Sequence, residues 1–449
     1  MQRTAAFLAA TIASNAAAAC ADPIEIAEPT DTPDTTPPTL TDPEPPRLTF
    51  GGHARARLEW WSNSGFSDAN DDTFLLTRLL LNANYRFNDN ASATVELKTV
   101  HATRRDLPGG RRPIDADSFD VQAAYLKAGF DLGDDARLTV TAGRQPLGFG
   151  RQRLISPLPW ANNSRSFDGG RLTLNASAWT AEAFYTRLVA VDKYDLNDWT
   201  SGTDVFGLYA TRALGEDHAT TLDLYYLGID RDTATFNTTT GHEQRHTVGA
   251  RVAAPLAGFD NGSTISIDAE AAYQFGSVGT ADVNAYSAAA ELVWKLADTG
   301  WMPAITLGVD YASGDDEPGG DVETFNQLLP LGHAYFGYAD TVGRQNIIDA
   351  SIGFAFHPHQ RVKVKADVHA FWRASTDDAL YNAGGAVVRP GTTPGSEVGQ
   401  ELDLTVFIEL TESLKAQAGV SYLFAGDFIR NSATSDDIAF AYTQLQFSF

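Results

Sequence analysis

The residues with the greatest chemical capacity lie between positions 143 and 172. Gly143-Arg144-Gln145 is followed by Leu147, Gly148-Phe149-Gly150, Arg151 and Arg153, then by Trp160, Asn162 and Arg165, and finally by Phe167-Asp168-Gly169 and Arg171-Leu172. A guanidinium is a rigid fork of donors that grips a carboxylate with two parallel hydrogen bonds. Guanidiniums repeated along a short stretch suit the handling of an anion. Bond-making chemistry has weaker support. No Gly-x-Ser-x-Gly, His-Glu-x-x-His or paired-cysteine motif occurs. His53 and His369 read as wall residues, and His357 and His359 form an isolated His-x-His. The reading is therefore not an enzyme, with a barrel hydrolase kept as the remote alternative. No cofactor is expected. The acidic loops Asp68 to Asp72 and Gly314 to Asp321 could take calcium, but neither has the spacing of a defined calcium loop.

What must position these residues is a set of strands. From Arg47 onward the apolar residues recur every second position, with turn signals between segments. In Val362 to Arg373, Val362, Val364, Ala366, Val368, Ala370 and Trp372 share one face, and Lys363, Lys365, Asp367, His369 and Arg373 the other. Glu401 to Leu410 and Thr264 to Phe275 repeat the pattern. An apolar outer face and a charged inner one are the signature of a transmembrane antiparallel β-barrel. Connections alternate in length. The short ones include Asn88-Asp-Asn, Asp131 to Asp135, His357 to Gln360 and Thr411-Glu-Ser. The long ones include Val100 to Ser118, Leu147 to Ser166, Ile229 to Arg245, Ser313 to Gln345 and Ala374 to Ser396. Only Ser277 to Asp282 breaks the rhythm. Counting gives about eighteen strands, with short periplasmic turns, long extracellular loops and a lumen wide enough for water unless loops plug it.

Strand parity sorts the charges. The bases placed on inward faces are Arg55, Arg57, Arg78, Arg86, Lys98, Arg171, Arg251, Lys363, Lys365 and Arg373. Arg144 shares parity with Leu138, Val140 and Ala142, which would turn it outward; a bulge near Gly143 would bring it into the lumen. Inward acids include Glu59, Glu96, Glu182, Asp223, Asp268, Glu270, Glu291, Asp310, Asp349, Asp367, Glu401, Asp403 and Glu409. Bases gather on the first three strands and on Lys363 to Arg373, while acids dominate from Asp268 to Asp349. One wall is thus basic and the facing wall acidic. Each inward arginine has two readings, a ligand for cargo or a cross-strand partner for a neighbouring acid.

The two ends of the chain agree with export. Residues 1–21 read as a signal peptide, with Arg3, an apolar run to Ile12 and a tract of small residues. The only cysteine, Cys20, is either removed or lipidated. Residues 22–46 carry eight prolines, seven acids and no base, which predicts a solvated arm on the periplasmic side, a spacer or a segment that enters the periplasmic mouth. The barrel is assigned to 47–449. Its last strand sets Ala441, Thr443, Leu445, Phe447 and Phe449 against Tyr442, Gln444, Gln446 and Ser448, and this ending resembles the recognition signal of bacterial outer-membrane barrels. After residue 21 no apolar run reaches the roughly 18 residues a transmembrane helix needs. A net charge of −24 argues against nucleic acid. The partners left are outer-membrane lipid and lipopolysaccharide, an anionic saccharide or small solutes, and a possible periplasmic protein.

The 143–172 module resembles the alginate-export family of outer-membrane porins, in its Gly-Arg-Gln strand end, its Gly-aromatic-Gly bend and its Phe-Asp-Gly-x-Arg-Leu return strand. Gln122, Ala124-Tyr125-Leu126, Pro330-Leu-Gly-His333, Gly337, Asp340, Gly343 and Asn346 extend the similarity. The resemblance implies an eighteen-stranded channel for an acidic polysaccharide, with Arg144 and Arg171 in an arginine-rich constriction and Gly143, Gln145, Gly148, Gly150, Arg151, Arg153, Asp168 and Gly169 as motif positions. A general or sugar uptake porin on the same fold is the alternative.

Overall fold

The computed structural model describes residues 47–198, 202–215, 219–297, 300–432 and 434–449. The signal segment 1–21, with Cys20, and the acidic arm 22–46 lie outside the described residues. The chain forms β1 (Leu48–Ser62), β2 (Asp72–Asn88), β3 (Ala91–Thr103), β4 (Asp117–Asp131), β5 (Ala136–Gln145), β6 (Phe167–Ala176), β7 (Trp179–Leu188), β8 (Thr203–Leu214), β9 (Thr220–Phe236) and β10 (Thr239–Gly258). It continues through β11 (Thr264–Val278), β12 (Ala281–Lys295), β13 (Ala304–Ala312), β14 (Ile347–His359), β15 (Val362–Trp372), β16 (Leu380–Tyr381), β17 (Val387–Arg389), β18 (Glu397–Glu409), β19 (Leu414–Ala425) and β20 (Ile438–Ser448). Eighteen strands make one antiparallel sheet, and β16 with β17 forms a separate small ribbon.

The sheet closes because β20 pairs with β1, from His53 opposite Ser448 to Ser62 opposite Ala439. The main chains of Gly52 and Phe449 exchange hydrogen bonds at 3.0 and 3.1 Å. Closure leaves no unpaired edge for lipid to solvate, which is what permits a sheet to span a bilayer. Eighteen strands spaced about 4.8 Å apart and tilted by about 40° make a barrel roughly 36 Å across. The outer face carries Leu58, Trp60, Leu126, Leu172, Leu208, Tyr286, Ile352, Leu404 and Leu445, all exposed. The inner face carries Arg55, Arg57, Asp223, Asp268, Asp349 and Glu401, all buried.

The long connections lie where expected, with one correction. Ile229 to Arg245 is not a loop: β9 and β10 run on through it and turn only at 237–238, their register shifting between Gly241 and Glu243. Its alternating Thr, Ala and Phe residues sustain a projecting hairpin, while Asn237 takes the positive φ of 48° that the turn requires. The exceptional segment at 277–282 is likewise a tight turn, centred on Gly279 with φ 61°.

Candidate functional site

The lumen is filled by its own loops. The chain leaves β5 at Gln145 and bends at Gly150, whose φ is 54° and where an added Cβ would lie 2.4 Å from the Tyr209 hydroxyl. The bend inserts Phe149 between the rings of Phe184 and Tyr209, at centroid distances of 4.9 and 5.0 Å. The chain then crosses the interior as a strap, 147–166, and returns to β6.

The two sides of the strap meet opposite walls. On the acidic side, Arg153 reaches Asp268 at 2.7 Å, Glu270 at 3.0 Å and Glu291 at 3.3 Å. Arg151 reaches Glu291 at 3.0 Å and Asp268 at 3.6 Å. Burial alone would lower the Arg153 pKa, but Tyr335 and the surrounding Glu291, Glu270 and Asp268 outweigh it and hold the guanidinium well above its ordinary value. On the basic side the strap offers carbonyls. Arg55 donates to the Ala161 carbonyl at 2.7 Å and the Pro159 carbonyl at 3.1 Å. Arg78 donates to the same two carbonyls at 3.0 and 3.2 Å. Arg57 donates to the Trp160 carbonyl at 2.8 Å, pairs with Glu59 at 2.8 Å and lies over the Trp160 ring. Lys98 binds the Asn163 side chain and Asp117, both at 2.9 Å.

A second inward loop, 313–346, locks onto the first. Ile155 bridges to Leu329, Trp160 stacks on His333 at 3.7 Å, and the Tyr335 hydroxyl donates to the Arg151 carbonyl. Arg165 donates to the Pro330 carbonyl at 2.9 Å, and burial, aided by Arg231, pulls its pKa down to about 10. Arg344 anchors this loop to Asp310, and the buried Glu401 accepts the Ala339 N–H at 2.9 Å. The anchoring roles of Tyr335, Arg344 and Glu401 escaped the sequence reading. Parity alone places Glu401 among the inward acids, and the spacing of Gly337, Asp340, Gly343 and Asn346 is the sequence signal for a loop with a defined path.

The remaining candidate bases are spread out. Arg251 lies between Asp223, at 2.7 Å, and Asp268. Arg171 pairs with Glu182 at 3.5 Å and Arg86 with Asp89 at 3.9 Å. Lys365 pairs with Asp367 at 3.1 Å, and Lys363 lies over Phe407. Arg373 binds the carbonyls of Asp378, Thr393 and Gly395 and stacks on Phe428 at 3.7 Å, so it shapes the 374–396 loop rather than facing an open channel.

Arg144 requires a correction. No bulge occurs at Gly143, because the β4–β5 and β5–β6 registers run unbroken through it. The irregularities lie one strand away, at Glu96/Leu97 and Lys98/Val100. Arg144 therefore keeps the outward parity of Leu138 and grips Asp168 with two prongs, at 2.9 and 3.0 Å, with Asp120 at 3.4 Å. Gly143 and Gly169 serve close backbone contact instead: a Cβ on either would lie 2.2 and 2.3 Å from the carbonyls of Ala124 and Tyr185. Gln145 donates to the carbonyls of Gly143 and Gly169 and ties the strand ends. Gly148 packs against Pro157 and Gln152 inside the strap. The acidic loops are used internally: Asp71 accepts from Ser62 and Asn63, and Asp72 from the main chain of Asp106 and Leu107.

Comparison with known proteins fixes what this barrel is. The alginate export family model matches residues 46–440. The chain belongs to the alginate export family. No curated protein matches it. Among solved structures it is similar to OpdO of Pseudomonas aeruginosa, at 12% identity and a TM-score of 0.59 over 90% of this chain and 97% of that one. OccK2 (OpdF) of the same organism, solved in complex with glucuronate, gives 8% identity and 0.61 over 90% and 98%. OpdK with vanillate gives 9% and 0.60 over 89% and 98%. At such identities the likeness is one of fold, and the shared fold is the outer-membrane porin barrel. This member of the alginate export family is thus an outer-membrane channel protein, with its short turns in the periplasm and its long loops outside.

Proposed function

We propose that the channel passes anionic saccharides, an acidic polysaccharide or its oligosaccharides, by passive diffusion, and that the strap sets its selectivity. One observation carries the reading: Arg55 and Arg78, side by side on β1 and β2, bind strap carbonyls rather than carboxylates. A carbonyl satisfies the guanidinium's donors and leaves its charge uncancelled. Two such charges in a low-dielectric wall raise the local concentration of anions. The acids of the far wall are largely offset, by contrast, because the three guanidiniums of Arg151, Arg153 and Arg251 sit on the four carboxylates of Asp223, Asp268, Glu270 and Glu291. The balance across the strap favours anions. Toward the periplasm Lys363 adds a further base, whereas Arg171 and Lys365 are paired with Glu182 and Asp367. The lumen-filling loops favour a second reading on the same chemistry, a channel for single small acids, in keeping with the glucuronate and vanillate of the two structural neighbours.

A planar-bilayer recording tests this. In a tenfold KCl gradient the reversal potential should take the sign of anion preference, and Arg55→Gln with Arg78→Gln should move it toward cations. Polyuronate added to one side should reduce the current. A cation-selective wild type would overturn the reading. Block by monomeric uronate but not by polyuronate would decide for the small-acid reading.

A further inference from the structure

We propose that residues 22–46, the acidic proline-rich segment of this same chain, dock inside the periplasmic mouth, in a basic cavity between β15 and β20. The cavity measures about 240 Å³, and its lining includes Arg361, Lys363, Lys415 and His357, with Glu409 as its one carboxylate and Phe407 as its aromatic surface. Glu412 is the single acid in the two turns that flank it, 360–361 and 410–413. Among the described residues of the other periplasmic turns, the acids Asp89, Asp134, Asp135 and Asp260 accompany Arg86, which pairs with Asp89, and Arg137, which pairs with Asp131. The sector between β15 and β20 is thus a part of the mouth where bases outnumber acids, and it suits an acidic guest.

The guest is tethered beside that sector. The described chain begins at Arg47, directly before β1, and the order β1, β20, β19, β18, β15 is continuous. Two strand spacings from β1 reach Lys415, and four reach Arg361 and Lys363, or about 10 and 19 Å. A proline-rich chain extends about 3.1 Å per residue. Asp42 and Glu44 are then placed to meet Lys415, and Asp31 and Asp34 have reach to spare for Lys363 and Arg361. The segment's seven acids and absence of bases complement the site. Its prolines, above all Pro43, Pro45 and Pro46, suit an aromatic floor, because an extended proline segment has little entropy to lose on docking. Tethering supplies an effective concentration of order millimolar, so individually weak contacts suffice.

The test compares the full chain with a variant lacking residues 24–44, both carrying Gln446→Cys, which lies half-buried in the same cavity. A charged thiol reagent is applied from the periplasmic side, and labelling of the peptide that contains position 446 is read by mass spectrometry. In 0.1 M salt the full chain should label at least fivefold more slowly than the deletion. In 1 M salt, where screening shortens to about 3 Å, the two should converge. At low salt the full chain bearing Arg361→Gln, Lys363→Gln and Lys415→Gln should label as fast as the deletion. Equal labelling of full chain and deletion at low salt would overturn the proposal. So would protection that survives the three wall substitutions, since the segment would then rest elsewhere. Heat-modifiable gel mobility confirms that each variant is a closed barrel, and the labelling pair leaves the wall charges native should the triple variant fail to assemble.

Discussion

Replacing Arg153 with Met should release the strap without opening the barrel. The side chain is 2% exposed and contacts three carboxylates within 3.3 Å. Met keeps most of the volume and the packing on Tyr335, and deletes the charge. Removing one partner from a buried ion network costs about 3 to 5 kcal/mol, because the remaining charges stay buried and unmatched. Here Arg151 and Arg251 still reach Asp268, and Arg151 still reaches Glu291. The low end, about 3 kcal/mol, therefore applies. At 1.36 kcal/mol per decade this lowers the docked-to-released ratio of the strap by roughly 150-fold. The strands' own pairing is untouched, so thermal unfolding of the barrel should shift little. Single-channel recordings should show larger conductance with frequent transitions, and the carboxylates thus bared should pull selectivity toward cations. Glu270→Gln with Glu291→Gln in the Arg153→Met background should remove the unmatched charges and recover part of the closed behaviour. Wild-type conductance and noise in Arg153→Met would refute the electrostatic account of the strap.

Gly143→Val should impair assembly, because φ is 124° and the new Cβ would meet the Ala124 carbonyl at 2.2 Å; strain of about 1 to 3 kcal/mol is expected, read as a smaller heat-modifiable fraction. Deleting Phe449 removes both seam hydrogen bonds with Gly52 and should lower the assembled yield in membranes more than the melting temperature of what does assemble. In the extracellular loops, burial holds Asp315 and Asp378 above the ordinary carboxylate range, although Asp378 accepts from Thr324, Tyr381 and two amides. A raised folded-state pKa means that the folded loop binds more protons. Its contribution is full below the unfolded value near 3.9 and is lost as pH rises through the folded value. Hydrogen exchange at the Asp315 and Ala379 amides, corrected for intrinsic rates, should accordingly show stronger protection at pH 4 than at pH 7, and a flat profile would count against the burial argument.

The barrel was legible because its strands obey period-two alternation and most connections alternate short and long, as those flanking β15, β18 and β20 do. Parity correctly sent Arg55, Arg57, Arg78 and Lys98 inward. It could not say what they would meet, because their partners come from a strap about a hundred residues away in sequence for the three arginines. The same limit explains Arg144. Its parity was right, and the bulge invoked to reverse it was an error, since Asp168 and Asp120 satisfy the side chain where it stands. The hairpin at 229–245 was misread for a simpler reason: polar residues there mark exposure above the membrane rather than the end of a strand.

Strand parity sets a basic wall against an acidic wall across the lumen. The structure shows that the two walls serve first as clamps for the strap, and the two clamps differ in kind. On the acidic wall, charge meets charge, three guanidiniums against four carboxylates, so that side chiefly contributes adhesion. On the basic wall Arg57 and Lys98 are paired with Glu59 and Asp117, but Arg55 and Arg78 meet carbonyls, so the same contacts that hold the strap leave a positive potential beside it. Selectivity and closure are then coupled through Arg55 and Arg78. A mutation that loosens the strap on this side must also alter the field, whereas Tyr335→Phe, which only deletes the hydroxyl's hydrogen bond to the Arg151 carbonyl, should loosen the loop pair by about 1 kcal/mol and leave ion preference unchanged. Parallel measurement of conductance noise and reversal potential in these variants separates the two effects, and a change in reversal potential for Tyr335→Phe would place the selectivity in the strap's position rather than in the arginines' charge.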